Sequence, residues 1–338
     1  MLRIVAFLAT LAFAAPAVAQ DAGGGLERDA PALTVYTYDA FAAEWGPGPM
    51  LKTGFEQSCA CTLRFVAADS SIGALRRVQL EGTTTEADIV LGLDTSLAAE
   101  ARSTGLFAPH GLDLSGLALP AEWADPAFVP LDFGWFAFVY NRELLPDPPA
   151  SFEELAAADA DLKIVIEDPR AATPGLGLVL WLKAAYGDGA AGAWAGLAPH
   201  IVAVTRSWSE AYALFLAGEA DMVLSYTTSP SYHLIAENDA RFAAARFREG
   251  HYLQIEIAGI LKLSPHQDLA RDFLRYLVSP AGQAVIPQTN WMFPVNPAVQ
   301  LPDGFAEPLP ADETLLLDDA AVAAGARAWI GEFLDAVR

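Results

Sequence analysis

Large aromatic residues stand beside a predicted strand in the second half of the chain. Trp208 opens a predicted helix after Ser207, and Tyr226 and Tyr232 follow the apolar run 222–224. A short, continuous apolar run is typical of a strand buried on both faces. Ligands of open α/β sheets sit outside the carboxyl ends of such strands. The arrangement therefore predicts a binding site for a flat molecule, and the alternative interpretation is an ordinary aromatic core.

The elements that would position these residues alternate along the chain. Ser207 and Glu210 form a capping box that starts a helix, and Gly218 is suited to end it. The βαβαβ order of the first hundred residues predicts parallel strands with helices on both faces. The predicted strands are 33–38, 62–67, 87–92, 128–141, 163–166, 222–224 and 252–259, and the main predicted helices begin near residues 47, 72, 151, 173, 207, 264 and 320.

Two long β-rich segments predict crossings between two α/β domains. The chain has 338 residues, 53% of them hydrophobic, which is enough for two cores. We expect a discontinuous domain 1 at 32–132 and 259–338, and a domain 2 at 133–258. Small molecules prefer pockets at domain interfaces, and hinge bending is the expected motion.

The first nineteen residues have the pattern of a signal peptide. Arg3 precedes an apolar stretch at 4–15, and Ala17 to Ala19 form an A-x-A cleavage site. We expect the mature chain to begin at Gln20, with a flexible leader at 20–31. No later apolar run has the length of a membrane span. The sequence predicts a soluble protein exported to the periplasm.

The acidic composition restricts the partners. A formal net charge of −22 repels nucleic acid and anionic lipid, and it attracts cationic small molecules. Cys59 and Cys61 are the two cysteines. Export permits a disulfide between them, but the tight loop leaves free thiols open as well, and a functional role is the third alternative.

Several long strings together resemble one known family. They are LTVYTYDAFAAEWGPGP, GWFAFVYN, DPRAATPGLGLVLW, WSEAYALFLAGEADMVLSYTTSPSYH, EGHYLQIE and NWMFPV. They are similar to the thiamine-binding members of the type II periplasmic solute-binding proteins of ABC importers. The resemblance covers nearly all of the mature chain. It implies the type II periplasmic binding protein fold, with two α/β domains, a hinge and an interdomain cleft.

The resemblance also implies a site. The aromatic positions of the family's pocket match Tyr38, Trp45, Trp208, Tyr226, Tyr232 and Trp291. Aromatic faces bind cations, and thiamine carries a permanently cationic thiazolium ring. The implied ligand is thiamine, thiamine phosphate or thiamine diphosphate, with no cofactor and no catalytic residue. The implied partner is the membrane permease of an ABC importer, and we expect a monomer.

This chain departs from the family where the phosphate would lie. Ser70 and Ser71 replace an acidic residue and a glycine, and Ala172 replaces a serine. We expect Thr173 to be the N-cap of the next helix. The N-terminus of that helix still offers free N–H groups to an anion. The preference among the phosphate esters therefore stays open.

Three other functions are alternatives to thiamine capture. A receptor of the same fold for a polyamine would need several carboxylates along the cleft, and one for ferric iron would use adjacent tyrosines. Tyr226 and Tyr232 are instead six residues apart. A thiaminase-like enzyme would need a cysteine nucleophile, but no histidine or glutamate motif accompanies Cys59 and Cys61.

Overall fold

The computed structural model describes residues 30–338, and Pro31–Arg338 form one compact unit. The predicted signal peptide, its cleavage site and residues 20–29 of the predicted leader lie outside the described residues. Among residues 30–338, no helix combines the length and the apolar character needed to cross a membrane.

Seven strands lie at or near the predicted positions, and four more, at 201–205, 242–244, 293–294 and 314–315, are not predicted from the sequence. They are β1 (Ala32–Tyr38), β2 (Thr62–Ala68), β3 (Ile89–Asp94), β4 (Phe128–Asn141), β5 (Ile164–Glu167), β6 (Ile201–Thr205), β7 (Met222–Tyr226), β8 (Phe242–Ala244), β9 (His251–Ile260), β10 (Phe293–Pro294) and β11 (Thr314–Leu315). The predicted bounds of β4 are confirmed, and β7 continues two residues beyond the predicted 222–224, so Tyr226 is its last residue rather than a residue past its end.

The helices pack against this sheet. They are α1 (Asp39–Ala42), α2 (Pro47–Glu56), α3 (Ser71–Glu81), α4 (Thr95–Ser103), α5 (Phe152–Ala156), α6 (Thr173–Tyr186), α7 (Ala190–Leu197), α8 (Trp208–Leu216), α9 (Ser229–Ala236), α10 (Gln267–Leu277), α11 (Pro280–Gln283), α12 (Ile286–Thr289) and α13 (Asp319–Ala336). Tyr232 lies within α9, a helix that is not predicted from the sequence.

The capping box of α8 is confirmed and the predicted cap of α6 is shifted. Ser207 accepts a hydrogen bond from the backbone N–H of Glu210, whose carboxylate accepts one from the N–H of Arg206. Ala172, not Thr173, is the N-cap of α6, and Thr173 is its first helical residue. The helix begins one residue earlier than predicted because Pro174 fits the second helical position as well as the first.

The sheet consists of two groups of parallel strands joined by two long strands. Its order is β2-β1-β3-β9-β4-β7-β5-β6. Strands β1, β2 and β3 are parallel to one another, as are β5, β6 and β7, while β9 and β4 are antiparallel to their neighbours in this order. The βαβαβ prediction for the first segment is confirmed. The domain boundaries proposed from the sequence fall within β4 and β9.

The strand directions make the carboxyl ends of the two groups face each other. β3 ends beside the middle of β9, where Asp94 pairs with Glu256. β7 is antiparallel to β4 and ends beside its middle, where Tyr226 pairs with Phe136. Since β3 and β7 run toward each other along β4 and β9, the loops that follow the strands of both groups meet between them. A ligand site is expected at this junction.

Candidate functional site

Tyr38 is held at the junction by a bulge in β3. Gly92 has a φ of +96°, and a Cβ atom there would lie 2.5 Å from the ring of Tyr38. Only glycine combines this backbone with so close an approach. The Tyr38 hydroxyl lies 3.1 Å from a carboxylate oxygen of Glu256 and 3.3 Å from Oδ1 of Asn290. The sequence therefore fixes both the ring and the hydroxyl of Tyr38.

Tyr226 and Trp208 are tied to the same end of the sheet. The Tyr226 hydroxyl donates to Oε1 of Gln254 over 2.7 Å. The indole N–H of Trp208 donates to Oγ of Ser225 over 2.8 Å, and Ser225 also shares a hydrogen bond with Ser229. Both rings are only partly buried. Their polar atoms are thus anchored while part of each ring surface remains accessible.

Tyr232 and Trp291 form a second aromatic pair. Their rings meet edge to face with centroids 5.5 Å apart, and Tyr232 donates its hydroxyl hydrogen to Glu237 over 2.9 Å. Trp291 has a φ of +56°, in the left-handed region that non-glycine residues rarely adopt. Strained backbone of this kind is concentrated at functional sites. Trp291 directly follows Asn290, which contacts Tyr38, so the pair adjoins the first group.

The residues predicted to lie near a ligand phosphate form a contact between the two strand groups. Ser70 caps α3, and its hydroxyl donates to the backbone carbonyl of Ala171. Ser71 and Thr173, the first residues of α3 and α6, are both buried. The two helix N-termini therefore lie near one contact between the two sides, and both orient free N–H groups there.

Trp45 differs from the other five aromatic residues. It lies between α1 and α2 and is 59% exposed. Within residues 30–338 it forms no ring pair with Tyr38, Trp208, Tyr226 or the Tyr232–Trp291 pair. Among the predicted aromatics, the structure brings Tyr232 and Trp291 into ring contact and places Tyr38 where the charge of Tyr226 acts on it, while Trp45 is exposed on the surface.

Four buried carboxyl groups lie around Tyr226, and the sequence patterns do not predict them. Asp94, Asp132, Glu167 and Glu256 are at most 3% exposed. None of them takes part in an ion pair with a described residue. The sequence pattern that indicates such a group is a single acidic residue inside an otherwise apolar strand, as in the LDFG of β4 and the IEIAG of β9.

Burial without a cationic partner raises the pKa of these groups. Desolvation raises the pKa of Asp94 and of Asp132 to about 7, and that of Glu167 well above its usual range. The pKa of Glu256 is raised well above its usual range by desolvation and by the charge of Asp132. Oδ1 of Asp132 and both carboxyl oxygens of Glu167 have no hydrogen-bond partner. This environment favours a cation, because a positive charge stabilises the ionised carboxylates.

Other features of the described residues lie outside this site. Cys59 and Cys61 form a disulfide in the turn between α2 and β2, which settles the alternatives left open by the sequence. A surface cavity of about 450 Å³ is lined by residues from Leu114 to Trp123 together with Pro130 and contains no predicted site residue. No group of three or more His, Cys, Asp or Glu side chains among residues 30–338 is arranged to hold a metal ion.

Comparisons with known proteins agree with this architecture. Residues 31–284 match the family model described as bacterial extracellular solute-binding protein. The chain is 50% identical over 307 residues to the thiamine-binding periplasmic protein of Escherichia coli K12, covering 91% of this chain and 94% of that protein.

A relative from Brucella melitensis with the same description is 50% identical over 306 residues, covering 90% of this chain and 91% of the relative. A solved structure described as a periplasmic thiamin binding protein superimposes with a TM-score of 0.88 at 49% identity, covering 91% of this chain and 97% of that one. The fold class predicted from the sequence is confirmed. On these matches and this fold, the chain belongs to the bacterial extracellular solute-binding protein family.

Proposed function

We propose that this protein binds thiamine in the periplasm and delivers it to the membrane permease of an ABC importer. The observation that carries the proposal is the junction itself, where aromatic rings adjoin buried carboxyl groups that have no cationic partner. The 50% identity to thiamine-binding periplasmic proteins along almost their whole length supports the choice of ligand.

The chemistry of thiamine suits such a junction. Its thiazolium ring is a permanent cation, for which aromatic faces and nearby carboxylates are favourable neighbours. A desolvated cation–π contact contributes about 2 kcal/mol. Nanomolar affinity requires about 12 kcal/mol, so two or three such contacts together with hydrogen bonds and closure are a sufficient set.

The partners and localisation are part of the same proposal. We infer a monomer that is exported through the predicted signal peptide, and a site that also admits thiamine phosphate and diphosphate. The N-termini of α3 and α6 support an anion subsite, because both present free N–H groups near the Ser70–Ala171 contact.

We infer no catalytic activity. The two cysteines are joined in a disulfide away from the aromatic residues, so neither thiol is available as a nucleophile. Aromatic rings around an organic cation also favour thiamine over ferric iron, since a hard metal ion prefers several oxygen ligands.

Isothermal titration calorimetry tests the proposal. Thiamine, spermidine and ferric citrate are titrated separately into the purified mature chain. We expect one thiamine per chain with submicromolar affinity, and no saturable binding of the other two. Saturable binding of spermidine or iron with no heat from thiamine would refute it. Chromatography of the thiamine samples after incubation with a nucleophile provides the enzyme control, in which we expect intact thiamine.

A further inference from the structure

Three of the buried carboxyl groups form a lateral row across neighbouring strands. The register pairs Asp94 of β3 with Glu256 of β9, and Glu256 with Asp132 of β4. Residues opposite each other in neighbouring strands place their side chains on the same face of the sheet. Glu256 therefore has a carboxyl neighbour on each side. Three ionised carboxylates in such a row repel one another strongly in a buried environment.

Hydrogen bonds connect the middle and one end of this row. The amide N–H of Asn290 donates to Oδ2 of Asp132 over 2.7 Å. The Tyr38 hydroxyl lies 3.1 Å from Oε2 of Glu256 and 3.3 Å from Oδ1 of Asn290. A phenol has one hydrogen to donate, but an ionised Glu256 and Asn290 would both be acceptors.

A proton on Glu256 satisfies every one of these contacts. A protonated Glu256 donates to Tyr38, Tyr38 donates to the Asn290 carbonyl, and the Asn290 amide donates to an ionised Asp132. An ionised Glu256 can still accept a hydrogen bond from the Asn290 amide, but it would be a further buried negative charge beside Asp132 and Asp94, with no cationic side chain to offset it. Oδ1 of Asp132 remains without a partner although the residue is fully buried.

The other titratable groups around Glu256 are acidic or phenolic. Asp132, Tyr38 and Asp94 act on it from β4, β1 and β3. Tyr226 of β7 is influenced by Glu256, Asp94 and Asp132, and also by Glu167 of β5. No cationic side chain contributes to either Glu256 or Tyr226. A ligand cation would be the first positive charge in this environment.

We propose that Glu256 holds a proton in the ligand-free protein and that a cation bound beside Tyr38 and Tyr226 expels this proton to the solvent. The inference rests on the proposed function, since it takes thiamine as the cation. The row then acts as a counter-charge that ionises only when the ligand is present. Glu256 is a positioning residue, because it acts on the ligand through its charge and through Tyr38.

The sign of the pH dependence follows from the direction of proton movement. Because binding releases a proton, a rise in pH favours binding. The affinity for thiamine should increase with pH by up to about tenfold per unit for a single linked proton. The pKa of Asp94 and of Asp132 is raised to about 7. Where these groups are protonated in the ligand-free protein, their ionisation adds to the same trend.

Calorimetry in two buffers measures the released proton directly. Thiamine is titrated at pH 7 in phosphate and in Tris, whose ionisation enthalpies differ, and the difference in apparent binding enthalpy gives the number of protons released. Affinities are then measured from pH 6 to pH 8.5. For the wild-type protein we expect release of a substantial fraction of one proton or more, and affinity that rises with pH.

Glu256→Gln is the informative variant, because an amide keeps a donor for Tyr38 but cannot ionise. It should bind thiamine more weakly than the wild type by a factor that grows from pH 6 to pH 8, and it should release fewer protons. Glu219→Gln removes the same charge at an exposed position and should behave like the wild type. A merely structural role for Glu256 would change affinity equally at every pH.

The ligand-free protein provides a second readout. Carbon-13 NMR of labelled glutamate carboxyl groups should show two groups, Glu167 and Glu256, that titrate well above the usual range, and the signal of Glu256 should be missing in Glu256→Gln. Tight thiamine binding with no proton release, or unchanged release in Glu256→Gln, overturns the inference and leaves the proposed function intact. Absence of thiamine binding alongside the high-titrating Glu256 signal overturns the proposed ligand and with it the thiamine-linked release.

Discussion

Replacing Trp45 distinguishes most clearly between an effect on ligand binding and an effect on folding. Its side chain is 59% exposed, and it forms no ring pair with the other site aromatics. Replacing an exposed residue of this kind usually changes the free energy of unfolding by no more than about 0.5 kcal/mol. If Trp45 covers the bound cation, Trp45→Ala removes a contact worth about 1–2 kcal/mol, which corresponds to a roughly 5- to 30-fold weaker affinity for thiamine.

The assay combines thermal unfolding of the ligand-free variant with calorimetric titration of thiamine. We expect the Tm to change by no more than about 2 °C while the affinity falls. Trp329→Ala is the matched control, since Trp329 lies in α13 and packs near Lys183. It should lose stability and keep its affinity. Wild-type affinity in Trp45→Ala would remove Trp45 from the site, and a large drop in Tm would identify a structural role instead.

Three further predictions concern the remaining site. Trp291→Gly should be more stable than Trp291→Ala by about 1 kcal/mol in chemical denaturation, because glycine accepts the φ of +56°. Both variants should bind thiamine more weakly than the wild type. Equal stabilities would show that this backbone is not strained. Ala172→Ser should increase the affinity gained from a phosphate group, by up to about 1.5–3 kcal/mol, in titrations of thiamine and its mono- and diphosphate; an unchanged increment would place residue 172 away from the phosphate. The ligand-free protein should lose stability between pH 6 and pH 8, by about 1–3 kcal/mol from Asp94 and Asp132 alone, because their folded forms, with pKa raised to about 7, hold protons that the unfolded chain has already lost. Glu167 and Glu256, whose pKa is raised well above the usual range, add to the same loss. Denaturation curves that coincide at the two pH values would contradict this sign.

The sequence predicts the strands well because their patterns are local. The 128–141 segment is rich in aromatic residues in spite of Pro130, Asp132 and Gly134, and β4 has those bounds. The capping box at Ser207 and Glu210 likewise fixes the start of α8 from four neighbouring residues. In both cases the information lies within one element, so no knowledge of packing is needed.

Helix α9 shows where local patterns are insufficient. Its sequence, SPSYHLIA, begins with small polar residues and a proline, which are typical of loops. In the structure Pro230 occupies the first turn, where its missing N–H costs nothing, and the buried His233 and Ser231 anchor the helix. Tyr232 is therefore placed by a helix rather than by a loop after β7.

The carboxyl row could not be inferred from spacing along the chain. Asp132 and Glu256 are 124 positions apart in the sequence, and only the antiparallel register of β4 and β9 brings them side by side. The aromatic residues, in contrast, were predicted from their resemblance to a family and from their positions at strand ends. Pairing between distant strands depends on the tertiary fold, which local patterns do not specify.

A crystal structure of the protein with thiamine tests the central claim most directly. We predict that the ligand lies at the junction of the two strand groups, with the thiazolium against aromatic faces that include Trp208 or Trp291 and within reach of the Asp132–Glu256 pair. Density for thiamine in the cavity between Leu114 and Pro130, or on the surface away from these aromatics, would contradict the account.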